Sequence, residues 1–296
     1  MNAADATRSS IGQPVRRKED ARLLTGAGRF ADDLVLPELA HAVIVRSPHA
    51  HARIVSMDTV AALRAPGVLG VLTGADYVAD GLGPIPHNPG VLNPPDLAVR
   101  LPNSAPVTTP HWPMPAEVVR FVGEPIAMVL AETAAAARDA AERLGITYDP
   151  LPAVTRAVDA VKPGAPCLWD EAPGNVCIDI EAGDAAETAA AFARAAHVVR
   201  IETWVQRVTG VPMEPRTTAA AYDAAIGQYT LYTGSGRGVV KAKLDLAQML
   251  RVPEEHVRCV CGEMGGNFGT RNFFYPEYAL LPWAARRLGR PVKWTG

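Results

Sequence analysis

Alternating apolar and polar positions in the first half of the chain predict a series of short β-strands. An alanine-rich segment interrupts them, and Thr133 is placed to cap it as a helix that ends at Gly145. A shorter helix, capped by Asp58 or Thr59, is predicted to run through Arg64. The strands are predicted at Leu39–Arg46, at Ala52–Met57, after the turn at Pro66–Gly67, at both ends of VVRFVGEPIAMVLA and in ITYDPLPAV.

The second half of the chain alternates between helical and strand periods. Asp184 followed three residues later by Glu187 is typical of a capping box and predicts a helix. HVVRIETWVQRV (residues 197–208) predicts a long strand, whereas the apolar spacing in VVKAKLDLAQMLRV predicts a helix. A strand in QYTLYT leads to a glycine turn at residues 234–238, and RPVKWTG begins a final strand.

Glycines crowd one stretch of the sequence, HVRCVCGEMGGNFGTR (residues 256–271). It joins a short strand to a helix predicted in FFYPEYALLPWAARRLG, with Pro276 in the first turn and Gly289 at the end. A strand, a glycine-rich loop and a helix together present backbone N–H groups to an anionic ligand. A tight connection in which glycine only supplies positive φ is the alternative. The spacing is not G-x-G-x-x-G, which disfavours a Rossmann dinucleotide site.

Composition narrows the functional classes. The chain has 296 residues, 48% of them hydrophobic, and a formal net charge of −2, which leaves no electrostatic footprint for nucleic acid. No stretch approaches the roughly 20 apolar residues of a membrane-spanning helix, and the N-terminus lacks the apolar core of a signal peptide. We therefore expect a cytoplasmic protein with no nucleic-acid partner and no membrane span. The four cysteines form no C-x-x-C pair, which indicates no iron–sulfur cluster in this chain.

Changes in composition divide the chain into four parts. Residues 81–115 within the first domain are rich in proline, glycine and asparagine, which is typical of a functional or interface loop. The expected division is a flexible lead-in at residues 1–19, an α+β domain at residues 20–155, a linker at residues 156–175 and a second domain at residues 176–296.

Two charged residues near the glycine-rich stretch are candidates for a binding role. Arg271 follows the glycines directly and can make bidentate contacts to a phosphate, although most arginines are simply exposed. Glu214 lies in the otherwise apolar segment VPMEP and is either a buried, hydrogen-bonded orienting group or an ordinary turn carboxylate. No Ser–His–Asp or Cys–His arrangement can be recognised from spacing.

The joint order of several segments resembles one known family. GAGRFADDL, LAHAVIVRSPHAHARI, PGVLGVLTGAD and RFVGEPIAMVLAET lie in the first part, and VPMEPRTTAAAYD and GGNFGTR lie in the second. Together they resemble the molybdenum-binding large subunit of the xanthine dehydrogenase, aldehyde oxidase and aerobic carbon monoxide dehydrogenase family. The resemblance implies an α+β fold, with an N-terminal α/β hammerhead domain followed by the first part of a molybdopterin-binding α+β domain. It also implies a molybdenum hydroxylase that oxidises a small substrate with oxygen from water.

The resemblance assigns roles to individual residues around molybdenum–molybdopterin, which some members extend with cytosine dinucleotide. Where members with an S-T-Q sequence place a glutamine beside the oxo group, this chain has T-G-S-G-R, so Arg237 or a backbone N–H would supply that hydrogen bond. No residue is expected to bind the metal directly. The implied residues are Gly265, Gly266, Phe268 and Gly269 of the G-G-x-F-G loop, Gly236, Arg237 and Arg271 as further cofactor contacts, Glu214 as the orienting group, and Asn272 at the substrate position where purine-oxidising members have a glutamate.

Further expectations concern partners outside this chain. The family's general base is a glutamate near the end of a chain more than twice as long, so no catalytic residue is assigned here and a separate or missing C-terminal half is expected. Electrons would leave through an iron–sulfur subunit and a flavin subunit that carries FAD. A non-catalytic assembly subunit, or a truncated pseudo-enzyme that docks redox partners, is the alternative. We also expect an unpaired strand near Val292–Trp294 and poor solubility of the isolated chain.

Overall fold

The computed structural model describes residue 14 and residues 16–87, 99–100, 107–236 and 238–296. Much of the predicted lead-in, part of the proline-rich loop and the candidate residue Arg237 therefore lie outside the described residues. No helix within these ranges is long and apolar enough to cross a lipid bilayer.

The described residues form eight α-helices and twelve β-strands, many of them short. The helices are α1 (Asp20–Leu24), α2 (Val60–Leu63), α3 (Gly74–Ala79), α4 (Ala134–Ala141), α5 (Ala157–Ala160), α6 (Ala185–Arg194), α7 (Val239–Leu250) and α8 (Glu277–Leu288). The strands are β1 (Ala40–Arg46), β2 (Ala52–Asp58), β3 (Val68–Thr73), β4 (Val99–Arg100), β5 (Val118–Val119), β6 (Pro125–Ala131), β7 (Gly145–Pro150), β8 (Glu181–Ala182), β9 (Thr217–Asp223), β10 (Gln228–Thr233), β11 (Val257–Val260) and β12 (Val292–Thr295).

Seven strands form one mixed sheet in the order β11-β10-β9-β12-β1-β6-β3. Strands from the two halves of the chain meet inside it, because β12 pairs antiparallel with β9 and parallel with β1. In the parallel pair, Ala40 lies opposite Val292. The prediction of an unpaired strand at Val292–Trp294 is therefore wrong, since both edges of β12 find backbone partners within the chain. A three-stranded sheet, β5-β2-β7, completes the first half.

Helix α8 packs on the large sheet and supplies much of its core. All its residues from Glu277 to Ala285 are buried, and they contact strands β9, β10 and β12. Both ends agree with the sequence prediction: Pro276 precedes the first turn, and Gly289 ends the helix at φ 70°, a left-handed conformation that glycine adopts without strain. The same core includes Leu72 and Met128 from the first half of the chain, so the two halves share one apolar interior.

The predicted helix caps are confirmed in the two alanine-rich helices. The Thr133 hydroxyl accepts a hydrogen bond from Ala136 N at 3.1 Å, at the start of α4, and Asp184 accepts one from Glu187 N at 2.9 Å, at the start of α6. The predicted end of α4 at Gly145 is wrong. Because Gly145 already lies opposite Asp58 in the β2–β7 pair, the chain leaves the helix several residues earlier.

Residues 197–208 do not form the predicted long strand. They follow an irregular and largely exposed path, in which Ile201 is 85% exposed and Val205 is 87% exposed. A strand needs a neighbour to satisfy its N–H and C=O groups, and no strand of the described part of the chain pairs with this segment. We call residues 197–213 the exposed arm.

Candidate cofactor site

The glycine-rich loop comprises residues 262–269 and follows β11 at the edge of the large sheet. Strand β11 runs parallel to β10, so the connections that follow these two strands leave the sheet on the same side. Gly236 N in the connection after β10 donates a hydrogen bond of 2.9 Å to Arg271 O just beyond the loop. This brings the two predicted glycine turns together, at the kind of strand end where ligands bind in α/β folds.

Glu214 holds the beginning of the loop. Its Oε2 accepts hydrogen bonds from Gly265 N at 2.7 Å and from Arg271 Nη1 at 2.6 Å. The two charged side chains are only 9% and 3% exposed, so their charge-assisted hydrogen bonds are shielded from water. A Cβ atom on Gly265 would lie 2.5 Å from the Glu214 Cβ, which explains the glycine at that position. Glu214 is therefore a buried, hydrogen-bonded group rather than a turn carboxylate.

The side chain of Arg271 turns inward. Besides the Glu214 carboxylate, its guanidinium donates to the carbonyl oxygens of Glu214 and Pro215. Both interpretations of Arg271 from the sequence, a phosphate ligand and an exposed arginine, are therefore wrong. The physical reason is the buried carboxylate of Glu214, which requires a cationic partner. Arg271 therefore stabilises the loop from the protein interior, through its contacts with Glu214.

A second carboxylate holds the loop on its other side. Glu263 N donates to Arg29 O at 3.1 Å, and Arg29 N donates to Glu263 Oε2 at 3.2 Å. Arg22 Nη2 lies 2.5 Å from Glu263 Oε1. The hydrogen bond from Arg29 and the charge of Arg22 lower the pKa of Glu263. Sequence reasoning missed these three residues; the only signal was GAGRFADDL, which includes Arg29, among the segments of the family resemblance.

The second part of the loop, residues 266–269, has backbone N–H groups without a hydrogen-bond acceptor among the described atoms. Phe268 is 74% exposed and has a φ of 49°, a left-handed conformation that is uncommon for a residue with a side chain. A Cβ atom on Gly269 would meet nothing within 4 Å. Consecutive N–H groups without an internal acceptor are the kind of donors that bind anions, which suits an anionic cofactor.

Two asparagine side chains lie beside the free amides. Asn267 Nδ2 donates a hydrogen bond of 2.8 Å to Asn272 Oδ1, and a Cβ atom on Gly236 would collide with the Asn267 amide. Asn267 Oδ1 is buried and has no hydrogen-bond partner among the described atoms. Gly236 thus makes room for a neutral carboxamide pair at the position expected to contact substrate.

Two family models match consecutive parts of the chain. Residues 25–152 match the a/b hammerhead domain of aldehyde oxidase and xanthine dehydrogenase, and residues 168–296 match the molybdopterin cofactor-binding domain. Over these two ranges the chain is therefore similar to molybdopterin-binding large subunits. The predicted fold class, a hammerhead domain followed by the first part of a molybdopterin-binding domain, is confirmed by these matches and by the structural comparison below.

The relatives of this family cover nearly all of the chain. It is 37% identical over 293 residues to 6-hydroxypseudooxynicotine dehydrogenase complex subunit gamma of Paenarthrobacter nicotinovorans, which covers 96% of this chain and 34% of that one. It is 35% identical to the carbon monoxide dehydrogenase large chain of Hydrogenophaga pseudoflava, over 94% of this chain and 34% of that one. The crystal structure of quinoline 2-oxidoreductase from Pseudomonas putida 86 superposes with a TM-score of 0.83 at 35% identity, over 98% of this chain and 35% of that one. The chain thus spans about one third of these relatives.

Proposed function

We propose that this chain forms one wall of the molybdenum-cofactor site in a molybdenum hydroxylase of the xanthine dehydrogenase, aldehyde oxidase and carbon monoxide dehydrogenase type. The observation that carries the proposal is the row of free amides at residues 266–269, on a loop that Glu214 and Glu263 hold from two sides. The match of residues 168–296 to a molybdopterin-binding domain supports it. When bound, the cofactor would supply two-electron oxidation of the substrate with oxygen from water.

The residues of this chain bind and orient in that reaction. The amides from Gly266 to Gly269 would hold the anionic cofactor by hydrogen bonds, and the glycines would let it approach the backbone closely. Glu214 orients the loop through Gly265 N. Gly236 acts indirectly, by leaving space for Asn267. By the family resemblance, the general base would be a glutamate in the C-terminal part of the large subunit.

The partners follow from the same proposal. Cys167, Cys177, Cys259 and Cys261 are free thiols, which suits a reducing cytoplasmic compartment, and their spacing provides no iron–sulfur site. Electrons leave through an iron–sulfur subunit and a flavin subunit with FAD. The cofactor is molybdopterin, in its cytosine dinucleotide form. A related large subunit is named as part of a dehydrogenase complex, which supports an assembly of several subunits.

We infer a pyridine-type heteroaromatic substrate rather than a purine. Asn272 is neutral and accepts a hydrogen bond from Asn267, so it offers no carboxylate to a purine ring. Two of the similar proteins are named for 6-hydroxypseudooxynicotine and for quinoline, and both names support this substrate class.

A glycine pair tests the cofactor proposal with matched backbone strain. Gly269 (φ 81°) and Gly81 (φ 73°) both have left-handed φ and nothing within 4 Å of an added Cβ. Each Ala variant should therefore lose a similar amount of stability, about 1 kcal/mol. The chain is co-expressed with the C-terminal part of the large subunit, and molybdenum per chain is measured by mass spectrometry. We expect Gly269→Ala to lose most of the metal and Gly81→Ala to keep it.

Two results would overturn the cofactor proposal. One is molybdenum at background in the unmodified complex. The other is equal molybdenum in the Gly269→Ala and Gly81→Ala complexes, since only Gly269 borders the proposed cofactor space.

A non-catalytic assembly subunit is the second candidate function. The observation in its favour is the exposed arm, whose Trp204 is 78% exposed and whose Met213 is 99% exposed, an apolar surface suited to a protein partner. It predicts stable capture of an iron–sulfur or flavin subunit without substrate turnover. A pull-down that recovers neither subunit would count against it.

A further inference from the structure

We propose that an aromatic-walled cavity between the hammerhead domain and the linker binds one neutral, planar heteroaromatic ring, at a site distinct from the glycine-rich loop. In naming nitrogen heteroaromatics as the ligand class, this step rests on the proposed function. Binding at the cavity itself requires no cofactor, so the two proposals can fail separately.

The cavity has a volume of about 700 Å³, which lies within the range of roughly 300–1,000 Å³ for small-molecule sites. Its walls come from the segment at residues 107–115, the turn at residues 120–124 before β6, and the linker at residues 168–169. Five rings border it, namely those of His87, His111, Trp112, Phe121 and Trp169.

The rings are arranged as flat walls. The ring planes of His87 and His111 differ by 5° and their centroids lie 5.0 Å apart, and the Phe121 ring meets His111 at 72° with centroids 6.5 Å apart. The two imidazoles also share a hydrogen bond of 2.8 Å between His87 Nε2 and His111 Nδ1. The hydrogen-bonded imidazole pair therefore forms one nearly flat surface, which favours a planar ring over a bulky aliphatic one because stacking requires a flat partner.

Arg120 fixes the linker wall and is largely occupied in doing so. Its guanidinium lies 3.5 Å from the centre of the Trp169 ring, and it donates to Leu168 O at 3.3 Å and to Val118 O at 3.2 Å. The guanidinium of Arg120 is therefore occupied by contacts within the protein. It gives the wall rigidity and is not a free anion receptor.

Glu124 provides a polar end to the aromatic space. It is 5% exposed, and its Oε2 accepts a hydrogen bond of 2.5 Å from Arg120 N. Burial raises the pKa of Glu124 to about 7, and burial together with His87 lowers the pKa of His111 to about 4. The lining therefore holds an imidazole that stays neutral near pH 7 and a carboxyl group that keeps its proton to a higher pH than an ordinary glutamate. Such a carboxyl can donate to the nitrogen of a pyridine-type ring.

The cavity and the glycine-rich loop are close along the exposed arm. Arg207 lines the cavity, and a Cβ atom on Gly210 would lie 2.9 Å from the Phe268 Cβ. Three extended residues span about 10 Å. A ring bound in the cavity would thus lie near the proposed cofactor site. This proximity favours a molecule of the substrate class as the ligand.

Calorimetric titration of the purified chain tests this site. The probes are quinoline, 2-decalone as a neutral and non-planar bicyclic counterpart, and benzoate as a planar anion. We expect saturable binding of quinoline and at least tenfold weaker binding of the other two. We expect Trp169→Leu to weaken quinoline binding about tenfold, whereas Trp204→Leu, on the exposed arm, changes it less than twofold.

Because Trp169 also packs on Arg120, Phe121→Leu serves as a second variant that leaves that contact intact, and it should weaken binding about threefold to tenfold. Benzoate binding more tightly than quinoline would overturn the neutral-ring assignment. Equal affinity of the unmodified, Phe121→Leu and Trp169→Leu chains would overturn the site. Molybdenum content is measured on the same variants after co-expression with the C-terminal part of the large subunit; its retention when quinoline binding is lost separates this site from the cofactor proposal.

Discussion

The C-terminal part of the described chain and the exposed arm have similar apolar sequences but opposite environments. Helix α8 and strand β12 are buried, with Val292 at 0% and Trp294 at 6% exposed. In the exposed arm, Trp204 and Val205 are 78% and 87% exposed. The sequence predicted the reverse for both strands, a long strand at residues 197–208 and an unpaired strand at Val292–Trp294.

The difference teaches that strand formation depends on neighbours and not on the apolar pattern alone. Strand β12 lies between β9 and β1, so its N–H and C=O groups are paired on both sides. The exposed arm has no such neighbour within the described residues, so its apolar sequence does not form a strand. Four substitutions test this contrast.

The largest effect is expected for Val292→Asp. The substitution places an unpaired carboxylate in the middle of the large sheet, where Val292 is 0% exposed. We expect the free energy of unfolding to fall by more than about 4 kcal/mol, as measured by urea denaturation followed by circular dichroism. A loss below about 1 kcal/mol would show that β12 is not buried in solution.

Glu277→Gln is expected to have the second largest effect. Glu277 is 1% exposed at the start of α8 and binds Arg46 in β1 at 2.5 Å and Arg216 before β9 at 3.2 Å. The side chains of Arg46 and Arg216 are about one third exposed, so solvent already screens part of their attraction to Glu277. We expect a loss of about 2 kcal/mol by the same denaturation assay. High salt should reduce the difference between the two proteins, and an undiminished difference would argue against an electrostatic cause.

Glu124→Gln tests the part of the hammerhead domain that faces the exposed arm. Because burial raises the pKa of Glu124 to about 7, the native state holds this proton more tightly than the unfolded state. Its contribution to stability is therefore full below about pH 4.5 and is lost as pH rises through 7. We expect the unmodified chain to lose about 1 kcal/mol more than Glu124→Gln between pH 6 and pH 8, measured as thermal unfolding at each pH.

His111 provides the internal check on that pH series. Its pKa is lowered to about 4, so its contribution is present above about pH 6.5 and is lost as pH falls through 4. His111 therefore changes the stability mainly below pH 6.5, whereas Glu124 changes it between pH 6.5 and pH 8. If the stability of Glu124→Gln still falls between pH 6.5 and pH 8, a group other than Glu124 causes the pH dependence in that interval.

The smallest effect on stability is expected for Val205→Asp in the exposed arm. The same change that disrupts β12 should here alter the free energy of unfolding by less than about 0.5 kcal/mol, because Val205 is already in water. It should also raise the solubility of the isolated chain, which we expect to be poor while the apolar arm is bare. Elution of the unmodified chain as a clean, stable monomer in size-exclusion chromatography would contradict that expectation.

Local chemistry made much of the fold predictable. Thr133, Asp184, Pro276 and Gly289 marked helix ends because capping depends on residues a few positions apart. The pairing of Ala40 with Val292 carries no local signal, since no short pattern records which distant strand lies alongside. The candidate site divides in the same way. The glycines near Phe268 were enough to predict the loop from the sequence. The partners of Arg271 and Glu263 could not be predicted, because they depend on contacts between distant segments.

The pairing of β1 with β12 has a consequence for synthesis on the ribosome. Strand β1 can join β6 soon after residue 131 emerges, but its other edge stays bare until β12 is made about 160 residues later. At roughly 5–20 residues per second this interval lasts about 8–32 s. A nascent chain with an uncovered sheet edge for so long is a natural client for a chaperone, and slower translation would lengthen its vulnerability to misassembly.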